Sequence, residues 1–405
     1  MNENRKIAIL VGDGMADFPV ESLGGRTPLQ EAKTPNMDFM AKNGILGLTR
    51  TVPKGMSPGS DTANLSIFGY DPAKYYTGRA PLEALNMGIE LGDNDVAFRC
   101  NIVTLDNGIM EDFSGHHVDS EVSRIIMEQM KKKAPLDDIE YYPGVSYRNI
   151  IIWRNFPYNN LPETIPPHDI QDREIEPYYP KGDGADILRD IMDRSRDIIS
   201  GSSEVSEALE GLPGKPVSLW LWGAGHRPSM ETLGSRFGLK GYTISAVDLI
   251  HGIGRAAGLE PWYVEGATGY IDTNYRGKAE GLVKAMENSN FVYLHVESPD
   301  ESGHQGRLDY KLQAIEDFDS MVVGPVVNML NRFDDFTVLV MPDHPTPLSI
   351  KTHTDDPVPF TVYSKNSIPG PDSAKLSFSE SSAASTGLMV DEAHTLLERM
   401  INNRF

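Results

Sequence analysis

Lys6-Ile-Ala-Ile-Leu-Val11 runs directly into Gly12-Asp13-Gly14, and how these nine residues are read decides the fold. Five consecutive apolar residues rich in branched side chains, stopped by glycines, predict a short strand buried on both faces that ends in a carboxylate. The same plan recurs twice. Phe291-Val-Tyr-Leu-His-Val296 is followed by Glu297-Ser-Pro-Asp300, and Phe336-Thr-Val-Leu-Val-Met341 by Pro342-Asp343-His344. Helical patterns lie between and around them, over 36–43, 277–287 and 311–330. Strands alternating with helices predict an α/β fold with a mainly parallel sheet. Ligands of such sheets bind beyond the carboxyl ends of the strands, so Asp13, Asp300 and Asp343 are expected on one edge.

The rest of the chain bounds what can happen at that edge. With 37 Lys and Arg against 58 Asp and Glu, the formal charge is −21, which argues against nucleic acid or an anionic membrane as the main partner. A small anionic substrate remains compatible, because local arginines and metal ions reverse the sign inside a cleft. No stretch approaches the length of a membrane span, and the first apolar run is too short for a signal sequence. Cys100 is the only cysteine, so no intrachain disulfide forms, which suits a cytoplasmic location. From about Asp95 to Gly241 the composition shifts to Pro, Tyr and charged residues, as in 155–180. We expect a core domain of residues 1–94 and 242–405, with an inserted α+β domain of residues 95–241.

Asp300-Glu-Ser-Gly-His304 places a carboxylate and an imidazole one helical turn apart. Asp343-His344 follows a strand, and His353 comes nine residues later. Any one of these has a bland explanation, since a lone histidine is more often a hydrogen-bonded structural residue. Together they point to metal. Carboxylate and imidazole ligands suit Mn²⁺, Zn²⁺ or Fe, with Mg²⁺ less at home among histidines. So many ligands exceed the needs of one ion and suggest a two-metal centre, the kind that supports in-line displacement. Ser60 sits in Lys54-Gly-Met-Ser-Pro-Gly-Ser60-Asp-Thr-Ala-Asn-Leu-Ser66, where a helix is expected to begin. Serine is a preferred N-cap. A helix N-terminus also favours anions, and an adjacent ion would activate the hydroxyl as a nucleophile. We read Ser60 as a nucleophile that also caps its helix.

Gly12-Asp13-Gly14, Pro58-Gly-Ser60-Asp61, Ser298-Pro-Asp-Glu-Ser-Gly-His304, Pro342-Asp-His344 and His353 together resemble the alkaline phosphatase superfamily. More narrowly, the chain is similar to the archaeal-type cofactor-independent (2,3-bisphosphoglycerate-independent) phosphoglycerate mutases. Thr34-Pro-Asn-Met37, Leu65-Ser-Ile-Phe-Gly-Tyr-Asp-Pro72, Tyr76-Thr-Gly-Arg79 with Glu83, Asp95-Val-Ala-Phe-Arg-Cys-Asn101 and Gly266-Ala-Thr-Gly269 extend the likeness over nearly the whole chain. The resemblance implies a three-layer alkaline-phosphatase-like core and two divalent ions, Mn²⁺ first. Asp13, Ser60, Asp343 and His344 would hold one ion, and Asp300, His304 and His353 the other. It also implies a phosphoserine at Ser60 during conversion of 2-phosphoglycerate to 3-phosphoglycerate, with the inserted domain closing over a small phosphorylated substrate. Lys278 resembles a family lysine near the phosphate, against a plain reading as a solvated helix residue.

Two family elements are altered. The mutases carry an Asp-Arg-Arg-Ala-Gly-Arg-like motif where this chain has 110–119, MEDFSGHHVD, without arginine; Trp222 stands where an arginine is expected. This pattern, with 141–147 and 166–169, also resembles a proposed homoserine kinase branch acting on a hydroxy amino acid with ATP. There is no Walker A loop, and 252–258 reads as a packed helix. The arginine of a sulfatase motif is missing after Ser57-Pro-Gly. A metal-free binding protein is disfavoured because every ligand position is filled. Substrate contacts are expected from Arg79, His117, Arg227 and Lys278; surface or structural roles are the alternatives for each.

Overall fold

The computed structural model describes residues 5–210, 218–370 and 373–405. The chain divides into two compact units, Met1–Tyr76 with Ser229–Phe405, and Thr77–Pro228.

The first unit is built on an eight-stranded sheet in the order Met389–Val390, Ile45–Thr49, Val358–Ser364, Phe336–Met341, Lys6–Gly12, Phe291–Val296, Gly241–Ile244 and Glu260–Pro261. Lys6–Gly12 lies at the centre, parallel to Phe291–Val296 on one side and Phe336–Met341 on the other. Val358–Ser364 alone runs against its two neighbours. Successive side chains of a strand face opposite ways, and both faces here are covered. Ala8, Leu10, Val292, Leu294, Val338 and Val340 pack in a core with Leu282, Met286, Ile315, Phe318 and Val326 from the helices Tyr275–Asn288, Leu308–Phe318 and Gly324–Leu330. The opposite face carries Tyr293, whose ring stacks on Phe68 at the end of the helix Ser60–Ile67. The expected α/β core with a mainly parallel sheet is thus present as helix, sheet and helix layers.

Local departures have physical causes. The helix expected over 311–330 is interrupted by a π turn at Asp319–Val323. There the buried Asp319 carboxylate accepts hydrogen bonds from the backbone of Asn36 (3.2 Å) and Met37 (2.7 Å), satisfying the open N-terminus of the helix Pro35–Asn43. Gly59, extended at φ 178°, is the N-cap before Ser60. Ser60 is the first helical residue and not the cap, which corrects that part of the expectation.

The second unit is an antiparallel sheet. Its long strand Val96–Asp106 pairs with Arg148–Trp153, with Ser218–His226 and, past a bulge, with Ile109–Asp112; Ile139–Tyr142 adds an edge. Val96, Phe98, Cys100 and Ile102 face Ile126, Met130, Leu188 and Ile191 of the helices Ser120–Lys133 and Ala185–Gly201. Ala97, Ile150 and Ile152 face Ala80 and Ala84 of the helix Arg79–Asn86. That second covered face places the start of the unit at Thr77 rather than 95, and its end lies at Pro228 rather than 241. Composition marked the Pro- and Tyr-rich middle of the insertion but not the helix that closes it.

Candidate active site

Three adjacent parallel strands deliver the acidic residues to one edge of the first unit's sheet. Asp13 follows Lys6–Gly12, Asp300 lies in the helix Ser298–His304 that follows Phe291–Val296, and Asp343 follows Phe336–Met341. All three are buried, as is His344. Donor atoms of Asp300, His304 and His353, of Asp13, Asp300 and His344, and of Asp13, His295 and Asp343 each lie within 4.8 Å of one another. Seven residues singled out from the sequence therefore converge: Asp13, Ser60, Asp300, His304, Asp343, His344 and His353.

Hydrogen bonds fix how these groups point. His304 Nδ1 lies 3.0 Å from the Lys351 carbonyl, which can only accept. In the neutral ring Nδ1 therefore carries the proton, and the free lone pair is on Nε2, 3.2 Å from Asp300 Oδ2. His353 Nε2 is 3.0 Å from His304 Nε2 and 3.4 Å from Asp300 Oδ1. The Thr346 hydroxyl donates to Asp300 Oδ1 and so accepts from His344 Nδ1 at 3.3 Å. That leaves the His344 Nε2 lone pair facing Ser60 Oγ at 3.3 Å, with Asp13 Oδ1 and Asp343 Oδ2 each 3.5 Å away. Asp343 is held in turn by the backbone N–H groups of Gly14 (3.2 Å) and His344 (2.9 Å) and by the Asn64 amide (2.7 Å).

Gly14 is required here. It adopts φ +63°, and a Cβ at this position would lie 2.7 Å from the Asp300 Cα and 2.6 Å from Thr346 Oγ1.

The electrostatics call for a cation. Burial, followed by the charges of Asp343 and Asp300, pushes the Asp13 pKa well above the usual carboxylate value. Each carboxylate pair at about 4 Å costs on the order of 4 kcal/mol at an effective dielectric near 20. Burial would also raise Asp300, but hydrogen bonds from His304 and His353 hold it well below the ordinary range. Burial opposes charge on His304 too, yet Asp300 raises its pKa to about 9. Burial lowers His344 to about 4 despite Asp343. Asp13 Oδ1 is buried without a hydrogen-bond donor among the described residues. An orphaned carboxylate oxygen beside the neutral His344 lone pair, with a His304 Nε2 proton that a cation would displace, is a donor set that fits divalent metal.

Sequence reasoning missed four residues of this neighbourhood: His295, Tyr293, Asn64 and Thr346. His295 and Tyr293 alternate on one face of Phe291–Val296, a polar pair inside an otherwise apolar strand, and that alternation was the available signal.

The four residues expected at the substrate are placed differently. Lys278 is fully buried, with Nζ 3.2 Å from the His295 carbonyl; burial lowers its pKa to about 8 against the pull of Glu297. This differs from a solvated helix face. The other three belong to the second unit. Arg79 Nε donates to Glu83 Oε1 (3.0 Å), and the buried Arg99 sets its Nε 2.8 Å from Glu83 Oε2, as an ion pair without hydrogen-bond geometry. Arg99 lies over the Trp222 ring at 4.3 Å and Arg79 at 6.0 Å. Burial raises the Glu83 pKa, but Arg99 and Arg79 outweigh it. The residue that replaces an expected arginine is thus a platform for two others. Within 110–119, Asp112 Oδ1 accepts from the backbone of Ser114 and His116 and from the Ser114 hydroxyl. His117 is exposed at φ +56°, its ring edge-on to Tyr147, and Arg227 is exposed.

The profile of the 2,3-bisphosphoglycerate-independent phosphoglycerate mutase family matches residues 41–203. A probable 2,3-bisphosphoglycerate-independent phosphoglycerate mutase of Geobacter sulfurreducens is 47% identical over 401 residues, spanning 98% of this chain and 100% of that protein. A 2,3-bisphosphoglycerate-independent phosphoglycerate mutase of Methanothrix thermoacetophila is 51% identical over 359 residues, spanning 88% of this chain and 90% of its own. A solved protein of Pyrococcus horikoshii superposes with a TM-score of 0.80 at 29% identity, over 99% of this chain and 98% of that one.

Proposed function

Because this chain belongs to the 2,3-bisphosphoglycerate-independent phosphoglycerate mutase family, we propose that it interconverts 2- and 3-phosphoglycerate through a phosphoryl group carried on Ser60. The observation that carries the reading is Ser60 Oγ set 3.3 Å from the His344 Nε2 lone pair, among the buried carboxylates of Asp13 and Asp343. Ser60 Oγ attacks phosphorus, the bond to the substrate hydroxyl oxygen breaks, and the serine proton passes to that oxygen. The freed glycerate then turns, its other hydroxyl attacks the phosphoserine, and its proton returns to Ser60 Oγ.

Asp13, Ser60, Asp343 and His344 would hold one divalent ion and Asp300, His304 and His353 a second, with Mn²⁺ the first choice. Such ions supply Lewis-acid stabilisation of phosphoryl charge and a lowered pKa for the serine hydroxyl. Within the protein, Thr346 and the Lys351 carbonyl keep the His344 and His304 Nε2 lone pairs available. In the second unit, Arg79, His117 and Arg227 would handle the substrate, with Arg99 fixing Arg79 through Glu83. Lys278 would act as a buried positive charge and not as a surface contact. We place the enzyme in the cytoplasm, acting on small molecules.

Homoserine kinase activity gains no support from the relatives described above. A paired assay with Mn²⁺ separates the readings. One arm supplies 3-phosphoglycerate and reads 2-phosphoglycerate; the other supplies ATP with homoserine and reads phosphohomoserine. Mutase turnover is expected, and it should vanish in Ser60→Ala. Kinase turnover without mutase turnover would overturn the proposal.

A further inference from the structure

We infer that His295 is a positioning residue: it holds the Asp13 carboxylate in register with the Ser60 helix, while Tyr293, two positions earlier on the same strand face, holds Asp343 through Asn64. The inference rests on the metal-centred reading above and extends it to a supporting layer beneath the centre.

His295 Nε2 is 3.0 Å from Asp13 Oδ2, and its Nδ1 is 3.3 Å from Ser245 Oγ. The ring is fully buried. Ser245 Oγ already accepts from the Val247 backbone N–H at 2.9 Å, so its own proton is free for His295 Nδ1. That assigns the remaining ring proton to Nε2, aimed at Asp13. Both ring nitrogens have protein partners, so the imidazole is a donor to Asp13 and not a ligand in its own right, although its atoms lie close enough to Asp13 and Asp343 to be mistaken for one.

Tyr293 completes the layer. Its hydroxyl donates to Asn64 Oδ1 (2.5 Å), and the Asn64 amide donates to Asp343 Oδ2 (2.7 Å) and to the Ser60 carbonyl (2.8 Å). The Tyr293 ring stacks on Phe68 with centroids 3.9 Å apart. One strand face therefore sets Asp13 directly, and sets Asp343 and the Ser60 turn through one amide. Residues 293 and 295 keep this relation because alternate residues share a face. The oxygen of Asp13 left without a hydrogen-bond partner among the described residues is Oδ1, so the hydrogen bond to Oδ2 fixes which lone pairs the carboxylate presents. Groups that orient metal ligands in this way change metal affinity by about 10- to 100-fold when removed.

The test is a titration of chelator-stripped protein with Mn²⁺ alone, following free Mn²⁺ by its electron paramagnetic resonance signal. His295→Leu should bind Mn²⁺ about 10- to 100-fold more weakly than the unaltered chain. His295→Gln places an amide donor near the Nε2 position and should stay within about threefold. His295→Asn, whose amide stops at the Nδ1 position, should lose affinity as the leucine variant does. The asparagine and glutamine pair carries the comparison if the leucine variant does not fold. Equal affinity in all variants would overturn the inference while leaving the metal-centred reading intact. Equal loss in glutamine and leucine would overturn it in favour of direct ligation. Absence of Mn²⁺ binding by the unaltered chain would overturn both.

Discussion

Replacing Lys311 by methionine should strongly destabilise the first unit. Lys311 leaves the helix Leu308–Phe318 and buries its ammonium completely. Its Nζ is 2.6 Å from Asp17 Oδ2, 2.8 Å from the Thr346 carbonyl and 3.4 Å from the Ala16 carbonyl. Asp17 also accepts from the Leu348 backbone N–H at 3.2 Å. One ammonium thus ties the loop after Asp13 to the loop after His344. Burial lowers the lysine pKa, and Asp17 works against that shift. Methionine keeps most of the volume but leaves a buried carboxylate unpaired, a loss of about 3–5 kcal/mol. For a unit of about 250 residues, at roughly 2 °C per kcal/mol, the melting point should fall by about 6–10 °C. Calorimetry of the metal-free protein reads this directly. Asp17→Asn combined with Lys311→Met removes the stranded charge and should recover at least about half the loss. A drop below about 1 kcal/mol in Lys311→Met, or a double variant no better than the single, would refute the reasoning.

Gly14→Ala should abolish turnover and weaken Mn²⁺ binding while the second unit unfolds as before, because its Cβ would enter the Asp300 backbone; steady-state kinetics with calorimetry would check this. Ser60→Ala should lose all phosphoryl transfer yet unfold at nearly the same denaturant concentration, since Gly59 holds the cap position and the hydroxyl caps nothing; 32P transfer to protein gives the readout. His251 provides a pH prediction. Burial lowers its pKa to about 4 from the ordinary 6.5, opposed by its bond to the Ser245 carbonyl. The folded-state value is the lower one, so the unfolded chain takes up the proton first. The neutral form's stabilisation is present above about pH 6.5 and is lost as pH falls towards about 4. Between about pH 7.5 and pH 5 the loss should be about 2 kcal/mol from this residue. Urea unfolding at both pH values should show that increment in the unaltered chain and not in His251→Gln.

Much of the core was legible because its signals are local. The runs at 6–11, 291–296 and 336–341 are strands where expected, and the carboxylates just beyond them share an edge because parallel neighbours end together. Asp300 and His304 meet because helical spacing is fixed. What stayed hidden depends on partners distant in sequence. Asn64 reads as an ordinary helix residue until Tyr293 and Asp343 arrive on either side. Thr346 has no motif value until Asp300 and His344 flank it. Lys311 carries no signal of its own within the helical pattern over 311–330, and it is buried with Asp17 there to receive it. Trp222 marks a departure from the family pattern in sequence; its role as the ring beneath Arg99 depends on pairing between Val96–Asp106 and Ser218–His226.

The central position of Lys6–Gly12 has a consequence for the protein's birth on the ribosome. Its strand partners begin at Phe291 and Phe336, so the first strand emerges long before anything it can pair with. At roughly 5–20 residues per second, about 15–60 s separate the synthesis of Ile7 from that of Phe291. The Thr77–Pro228 unit is complete in sequence during that interval, while five apolar residues of the future core wait unpaired. A nascent chain so arranged depends on being shielded from its neighbours, and translation pauses between residues 77 and 291 should lower the yield of folded protein more than pauses after 341.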